Sequence, residues 1–171
     1  MKLGFLKTTI AATAIFIGFS AQASVIQGKV VSVFDGDTVT VLDGEKNKHR
    51  IRLAQIDAPE QKQPFGPAAR KHVSQLLLGK EVEVHIQEID STGNQLGTIY
   101  LDGENINMQI IDAGYAWAFD PHIANSAYSI NQTQAKEAGV GLWADKNSIP
   151  PWEWRKQEKE KRQNAKWLKS Q

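Results

Sequence analysis

The chain of 171 residues contains no cysteine. Disulfides, thiolate nucleophiles and zinc–thiolate centres are therefore excluded. Histidine is sparse, and His49, His72, His85 and His122 show neither HxH nor HxxxH spacing, so nothing indicates an imidazole-based zinc site. A basic excess is also missing: the formal net charge is +1. Its distribution is uneven. Residues 24–151 carry eleven Lys/Arg against sixteen Asp/Glu, a net of −5, whereas residues 152–171 carry seven against three, a net of +4. The main body thus lacks the basic footprint usual for a nucleic-acid binder, which argues against tight, salt-resistant, non-specific binding to DNA. It leaves room for a small site whose cation supplies the positive field locally. Internal repeats are absent, and the one sustained apolar run, residues 8–19, is too short to span a bilayer comfortably.

That run has the form of a signal peptide over residues 1–23. Lys2 and Lys7 precede the apolar stretch, and Ala21-Gln22-Ala23 supplies a small-x-small cleavage site. The expectation is an exported protein, periplasmic or secreted, cut near Ala23-Ser24, with no membrane span in the mature chain. A domain over 24–149 should follow, then a charged tail over 150–171 that begins at Pro150-Pro151 and can be helical.

What is present is a dense charged cluster. Asp35-Gly36-Asp37-Thr38 is followed, after a strand-like stretch, by Arg52-Leu53-Ala54-Gln55-Ile56-Asp57-Ala58-Pro59-Glu60. Val39-Thr40-Val41 and residues 49–56 alternate in polarity, and Asp43-Gly44-Glu45 between them signals a turn. Antiparallel folding about that turn sets Asp37 opposite a residue between 50 and 54, with Arg52 in the middle of the range, and Pro59 stops strand pairing after Asp57. Asp37, Arg52 and Asp57 then meet at one end of one hairpin. The carboxylates of Asp37, Asp57 and Glu60 can hold a hard cation through oxygen. Arg52 presents a planar donor fork matched to phosphate. A cation, a phosphate clamp and a further carboxylate are the components needed to cut a phosphodiester.

Residues 35–60 resemble the first signature of the staphylococcal-nuclease (thermonuclease) family: DGDT, an apolar-x-apolar strand, a gap, then R-L-x-x-I-D-x-P-E. The likeness continues through Pro64-Phe65-Gly66-Pro67, Gly79-Lys80-Glu81-Val82, Ile99-Tyr100-Leu101-Asp102-Gly103 with Asn107, and Gly141-Leu142-Trp143. The resemblance implies an α+β, mainly β, OB-fold five-stranded barrel with three helices, and a calcium-dependent nuclease acting on DNA and RNA. It further implies that Asp37, Asp57 and the backbone carbonyl of Ala58 ligate Ca2+, that Arg52 binds the phosphate and that Glu60 assists the attacking water. A monomer is expected.

The second family signature departs from the pattern. Here the chain reads Asp90-Ser91-Thr92-Gly93-Asn94-Gln95-Leu96. Asn94 stands where the resemblance places a second catalytic arginine, and Ser91 and Thr92 replace a Lys and a Tyr that contact phosphate. Asn is neutral and makes no charged fork. Loss of such an arginine costs about 10³–10⁵ in rate. Arg50 shares the strand parity of Arg52, but the two side chains lie roughly 6–7 Å apart along the strand. The alternative function is a catalytically decayed OB module that binds single-stranded nucleic acid or a protein.

The remaining pattern gives a strand from Val25 to Val33 with a bulge or bend at Gly28, a helix over 67–78 and a strand over 80–87. A helix over 105–113 is capped by Asn105, and another over 126–138 packs through Ala127, Ala135 and Ala138. Tyr115, Trp117 and Phe119 alternate in a way that suits core or rim packing better than base stacking. Trp152 and Trp154 are expected to pack the tail on the domain.

Overall fold

A computed structural model describes residues 24–89, 94–119 and 127–171. Residues 1–23, expected as a signal peptide, and Ser91, Thr92, Gly93 and Ser126 lie outside the described residues. In chain order the elements are β1 (Val25–Val33), β2 (Thr38–Asp43), β3 (Lys48–Leu53), β4 (Ile56–Asp57), α1 (Gly66–Leu77), β5 (Glu81–Ile89), β6 (Gln95–Leu101), β7 (Glu104–Asn105), α2 (Ile106–Asp112), β8 (Trp117–Ala118), α3 (Ala127–Ala138), a short 3-10 turn (Gly141–Ala144) and α4 (Pro151–Lys169).

The strands run β3-β2-β1-β5-β6 around a barrel, which a parallel pairing of β3 with β6 closes. This is the expected five-stranded OB-type barrel. Strand alternation builds its core: Val30, Val39, Val41, Ile51, Leu53, Val84 and Ile99 are fully buried, while Arg50 and Arg52 on β3 face outward. Each such burial is worth about 1.5–3 kcal/mol. The bulge in β1 falls between Val30 and Ser32 rather than at Gly28. It resets the alternation so that Val33 points inward again. Gly28 stays in register and serves close approach instead, since a Cβ there would lie 2.4 Å from the Leu42 carbonyl oxygen.

Helices α1, α2 and α3 bury side chains against the barrel core. α1 turns Ala69, Val73 and Leu77 inward and has Pro67 in its first turn. Asn105 caps α2, its Oδ1 accepting from the Met108 N–H at 3.1 Å. Buried Asn107 locks α2 to the barrel closure: its Nδ2 donates to the carbonyls of Ala54 (2.9 Å) and Gly97 (3.2 Å), and its Oδ1 accepts from Ile99 N–H (3.1 Å). α3 packs through Tyr128 and Ala135, two turns apart; Ala127 and Ala138, expected as packing positions, are exposed. The tail forms a fourth helix beyond the three expected. α4 starts at buried Pro151 and is exposed throughout from Lys159 onward.

Candidate functional site

The hairpin of β2 and β3 pairs Thr38 with Arg52, and Leu53 N–H donates to the Asp37 carbonyl at 2.8 Å. The register therefore puts Asp37 at the mouth of the hairpin beside Arg52. The loop before it packs tightly: a Cβ on Gly36 would lie 2.7 Å from the Ala58 Cβ and 2.8 Å from the Ala69 Cβ. Glycine in DGDT thus lets the loop press against the Asp57–Ala58 segment and α1. Ala58 N–H donates to Asp37 Oδ2 at 2.9 Å, and Thr38 Oγ1 donates to Asp37 Oδ1 at 3.0 Å.

Asp37 and Asp57 are 5 % and 1 % exposed. Both face one guanidinium nitrogen. Arg52 Nη2 lies 3.1 Å from Asp57 Oδ1 and 3.7 Å from Asp37 Oδ2. Burial pushes the Asp37 carboxyl up to about 7, with Asp35 and Asp57 adding repulsion and Arg52 and the Ala58 N–H opposing. Two buried carboxylates side by side are oxygen-only donors of the kind that suits a hard metal ion. Among the described residues, however, no three carboxylates or imidazoles converge into a ready-made metal cage.

Glu60, the third carboxylate, points to a residue that sequence reasoning did not single out. Arg155, on the second turn of α4, donates from Nη2 to Asp57 Oδ2 at 2.8 Å, and from Nη1 to Asp57 Oδ1 at 3.2 Å and Glu60 Oε1 at 2.9 Å. The site thus joins the β2–β3 hairpin to the charged tail. Gln63 makes the join rigid. Its Oε1 accepts from Glu60 N–H at 3.1 Å and its Nε2 donates to the Ile149 carbonyl at 2.6 Å, just before α4 begins. Trp152 packs against Phe119, ring centroids 5.4 Å apart. Phe119 is therefore a docking surface for the tail, while Trp117 is buried and edge-on to Trp143 at 5.1 Å.

Asn94 lies just before β6, one position ahead of Gln95, which pairs with Ile51 of β3. The Arg50 guanidinium lies 4.5 Å from the centroid of the Phe34 ring and is engaged there. Between α4 and the loops carrying Phe34 and Glu60 runs a cleft of about 690 Å³. Its helical wall bears Arg155, Lys159, Arg162 and Lys166, a spacing that aligns four cations along one face of a helix. Repetition at helical period could have revealed this stripe in the sequence. Nothing local could have revealed the contacts of Arg155 with Asp57 or of Gln63 with Ile149, which span 98 and 86 residues.

Comparison with known proteins gives a consistent picture. A family-wide profile described as "Staphylococcal nuclease homologue" matches residues 50–145. An uncharacterized endonuclease of Escherichia coli O157:H7 is 40% identical over 131 residues, covering 76% of this chain and 85% of the relative. A micrococcal nuclease of Shigella flexneri is 34% identical over 168 residues, covering 92% and 95%. Protein ParB of Escherichia coli is 33% identical over 163 residues, covering 89% and 92%. The barrel, the paired aspartates beside Arg52 and these extended similarities agree, and the chain belongs to the staphylococcal nuclease family.

Proposed function

We propose that this protein is a calcium-dependent nuclease that hydrolyses phosphodiester bonds of DNA and RNA. The observation that carries this reading is the convergence of two buried carboxylates, Asp37 and Asp57, on Arg52. Asp37, Asp57 and the Ala58 carbonyl would hold Ca2+, which when bound polarises a phosphoryl oxygen and offsets its charge. Arg52 forks a non-bridging phosphate pair and stabilises the charge that builds there. Glu60 orients the incoming water and accepts its proton. The water oxygen bonds to phosphorus, one ester P–O bond breaks, and the departing sugar oxygen takes a proton from solvent. Support for a nucleic-acid substrate comes from the relatives named as nucleases and from the cationic wall of the cleft beside the site.

Export and cleavage near Ala23-Ser24 complete the proposal, and cell fractionation with N-terminal sequencing checks them. The decisive assay is cleavage of labelled DNA and RNA by the mature protein, with calcium and with chelator. Calorimetry should detect calcium binding that is lost in Asp37→Ala and Asp57→Ala. Absence of calcium binding at millimolar concentration would remove the site assignment. A folded protein that binds single-stranded nucleic acid without cutting it would instead support the decayed-module reading, to which Asn94 is the pointer.

A further inference from the structure

We propose that Arg155, carried in by α4, supplies the second phosphate-binding arginine of the site in place of Asn94. The inference rests on the nuclease reading above and names a catalytic residue for it. A phosphate undergoing in-line attack accumulates charge that one cation and one guanidinium neutralise incompletely. Among the described residues the barrel strands carry two guanidiniums, Arg50 and Arg52. Asn94 is neutral, and Arg50 stands roughly 6–7 Å along β3 from Arg52, over the Phe34 ring.

Arg155 meets the requirement. Its guanidinium is within 3.2 Å of both Asp57 oxygens and 2.9 Å from Glu60 Oε1. It therefore stands beside the carboxylate that holds the cation and the one that handles the water. A planar fork that grips a carboxylate pairwise grips a phosphate the same way. The side chain is also accessible, 41 % exposed, whereas Asp57 is 1 % exposed. It opens on the cleft whose other helical cations, Lys159, Arg162 and Lys166, continue from it. Such a line suits successive phosphates of one strand leading to the reacting one.

The placement is anchored rather than incidental. Gln63 ties the Glu60 loop to Ile149, Pro151 is buried, and Trp152 packs on Phe119. These contacts set the start of α4 one turn before Arg155. In the free protein the guanidinium neutralises Asp57 and Glu60. Those ion pairs must loosen before the donors can turn to a phosphate, and calcium on Asp57 would favour that exchange by taking over its charge.

The test is single-turnover cleavage of an end-labelled single-stranded DNA oligonucleotide at saturating calcium, alongside calorimetry with calcium alone. Arg155→Ala should slow cleavage about 10²–10³-fold while calcium affinity is retained or tightened. Arg155→Lys keeps the charge and loses the fork, and should recover only a small part of the rate. Asn94→Arg should raise the rate of Arg155→Ala by about tenfold or more, and by a larger factor than it raises the otherwise unaltered protein, because one arginine then substitutes for the other. Arg155→Ala cutting as fast as the unaltered protein, or faster, would overturn the inference; the faster result would make Arg155 a plug on the site. Should Arg155→Ala fail to fold, Arg155→Lys cutting at the full rate overturns it equally. If the unaltered protein does not cut with calcium, the nuclease reading fails and this inference with it. If it cuts and the Arg155 variants cut alike, only this inference fails.

Discussion

Asp57 accepts three hydrogen bonds, one from Arg52 and two from Arg155, while almost wholly buried. Two guanidiniums on one carboxylate make its charge tolerable in the interior, and they make that pairing redundant for stability while each keeps its own share of the phosphate clamp. Arg52→Ala should therefore abolish most hydrolysis, by about 10²-fold or more, yet cost only about 1 kcal/mol of stability, because Arg155 still pairs Asp57 and Arg52 is half exposed. Paired melting curves and cleavage rates check this. Gln63 behaves in the opposite way. It is buried and holds both the Glu60 backbone and Ile149, so Gln63→Ala should cost about 2 kcal/mol and also slow cleavage by displacing Glu60 and α4 together. A third expectation concerns the turn of the hairpin. The hydrogen bond from His49 is the main reason Asp43 is held at about 2. Its folded value is depressed, so the stability it lends is full above the ordinary value of 3.8 and is lost as pH falls through about 2. The stability difference between the unaltered protein and Asp43→Asn should shrink across that window in acid-unfolding curves. At this scale the sequence disclosed Asp37, Arg52, Asp57 and Glu60, because a local hairpin gathers them within a short stretch. It did not disclose Gln63 or Arg155, whose partners lie on remote segments brought near by barrel closure.

α4 changes meaning once it is seen as an element rather than as a run of charge. The tail is expected to pack on the domain through Trp152 and Trp154; the structure adds that Arg155 reaches Asp57 and Glu60. Its first two turns are bound into the site, while everything from Lys159 onward is exposed and lines the cleft with cations. Removing residues 159–171 leaves Arg155 in place and takes away Lys159, Arg162 and Lys166. The truncated protein should keep its cleavage rate at saturating substrate but bind single-stranded DNA more weakly. Its plot of log affinity against log salt should be shallower by about 2. An unchanged slope would assign the outer helix to solubility. The other elements were legible for definite reasons. α1 and α2 announce themselves by an apolar stripe with Pro67 at the start and by the Asn105 cap, and β2 and β3 by strict alternation. The β1 bulge and two of the three α3 packing positions, Ala127 and Ala138, differ from expectation because both depend on the partner surface, while Ala135 is buried as expected. Alternation cannot say where a strand must reset phase, and small residues cannot say which of them face a neighbour.

At the scale of the whole molecule, charge is segregated. The barrel domain is acidic, net −5 over residues 24–151, and residues 152–171 are net +4. The buried aspartates of the site concentrate that acidity where calcium would sit, so the cation should bind the folded chain and not the unfolded one. At about 100 times its dissociation constant, calcium should add about 2.7 kcal/mol to stability. Thermal melts should show the increase in the unaltered protein and none in Asp37→Ala or Asp57→Ala. Closure of the barrel by β3 and β6, locked by Asn107, means that the hairpin carrying Asp37 and Arg52 is fixed only when a much later strand arrives. The contact between Asp57 and Arg155 extends this ordering further, across 98 residues. Ribosomes elongate at about 5–20 residues per second, so Arg155 is made roughly 5–20 s after Asp57. On the assignment of Arg155 to the site, a nascent chain carries the carboxylates proposed to hold calcium for all that time without a complete phosphate clamp. On that reading the host's own nucleic acid, including the message being read, meets a precursor that cuts about 10²–10³-fold more slowly, and full cutting power arrives only with α4.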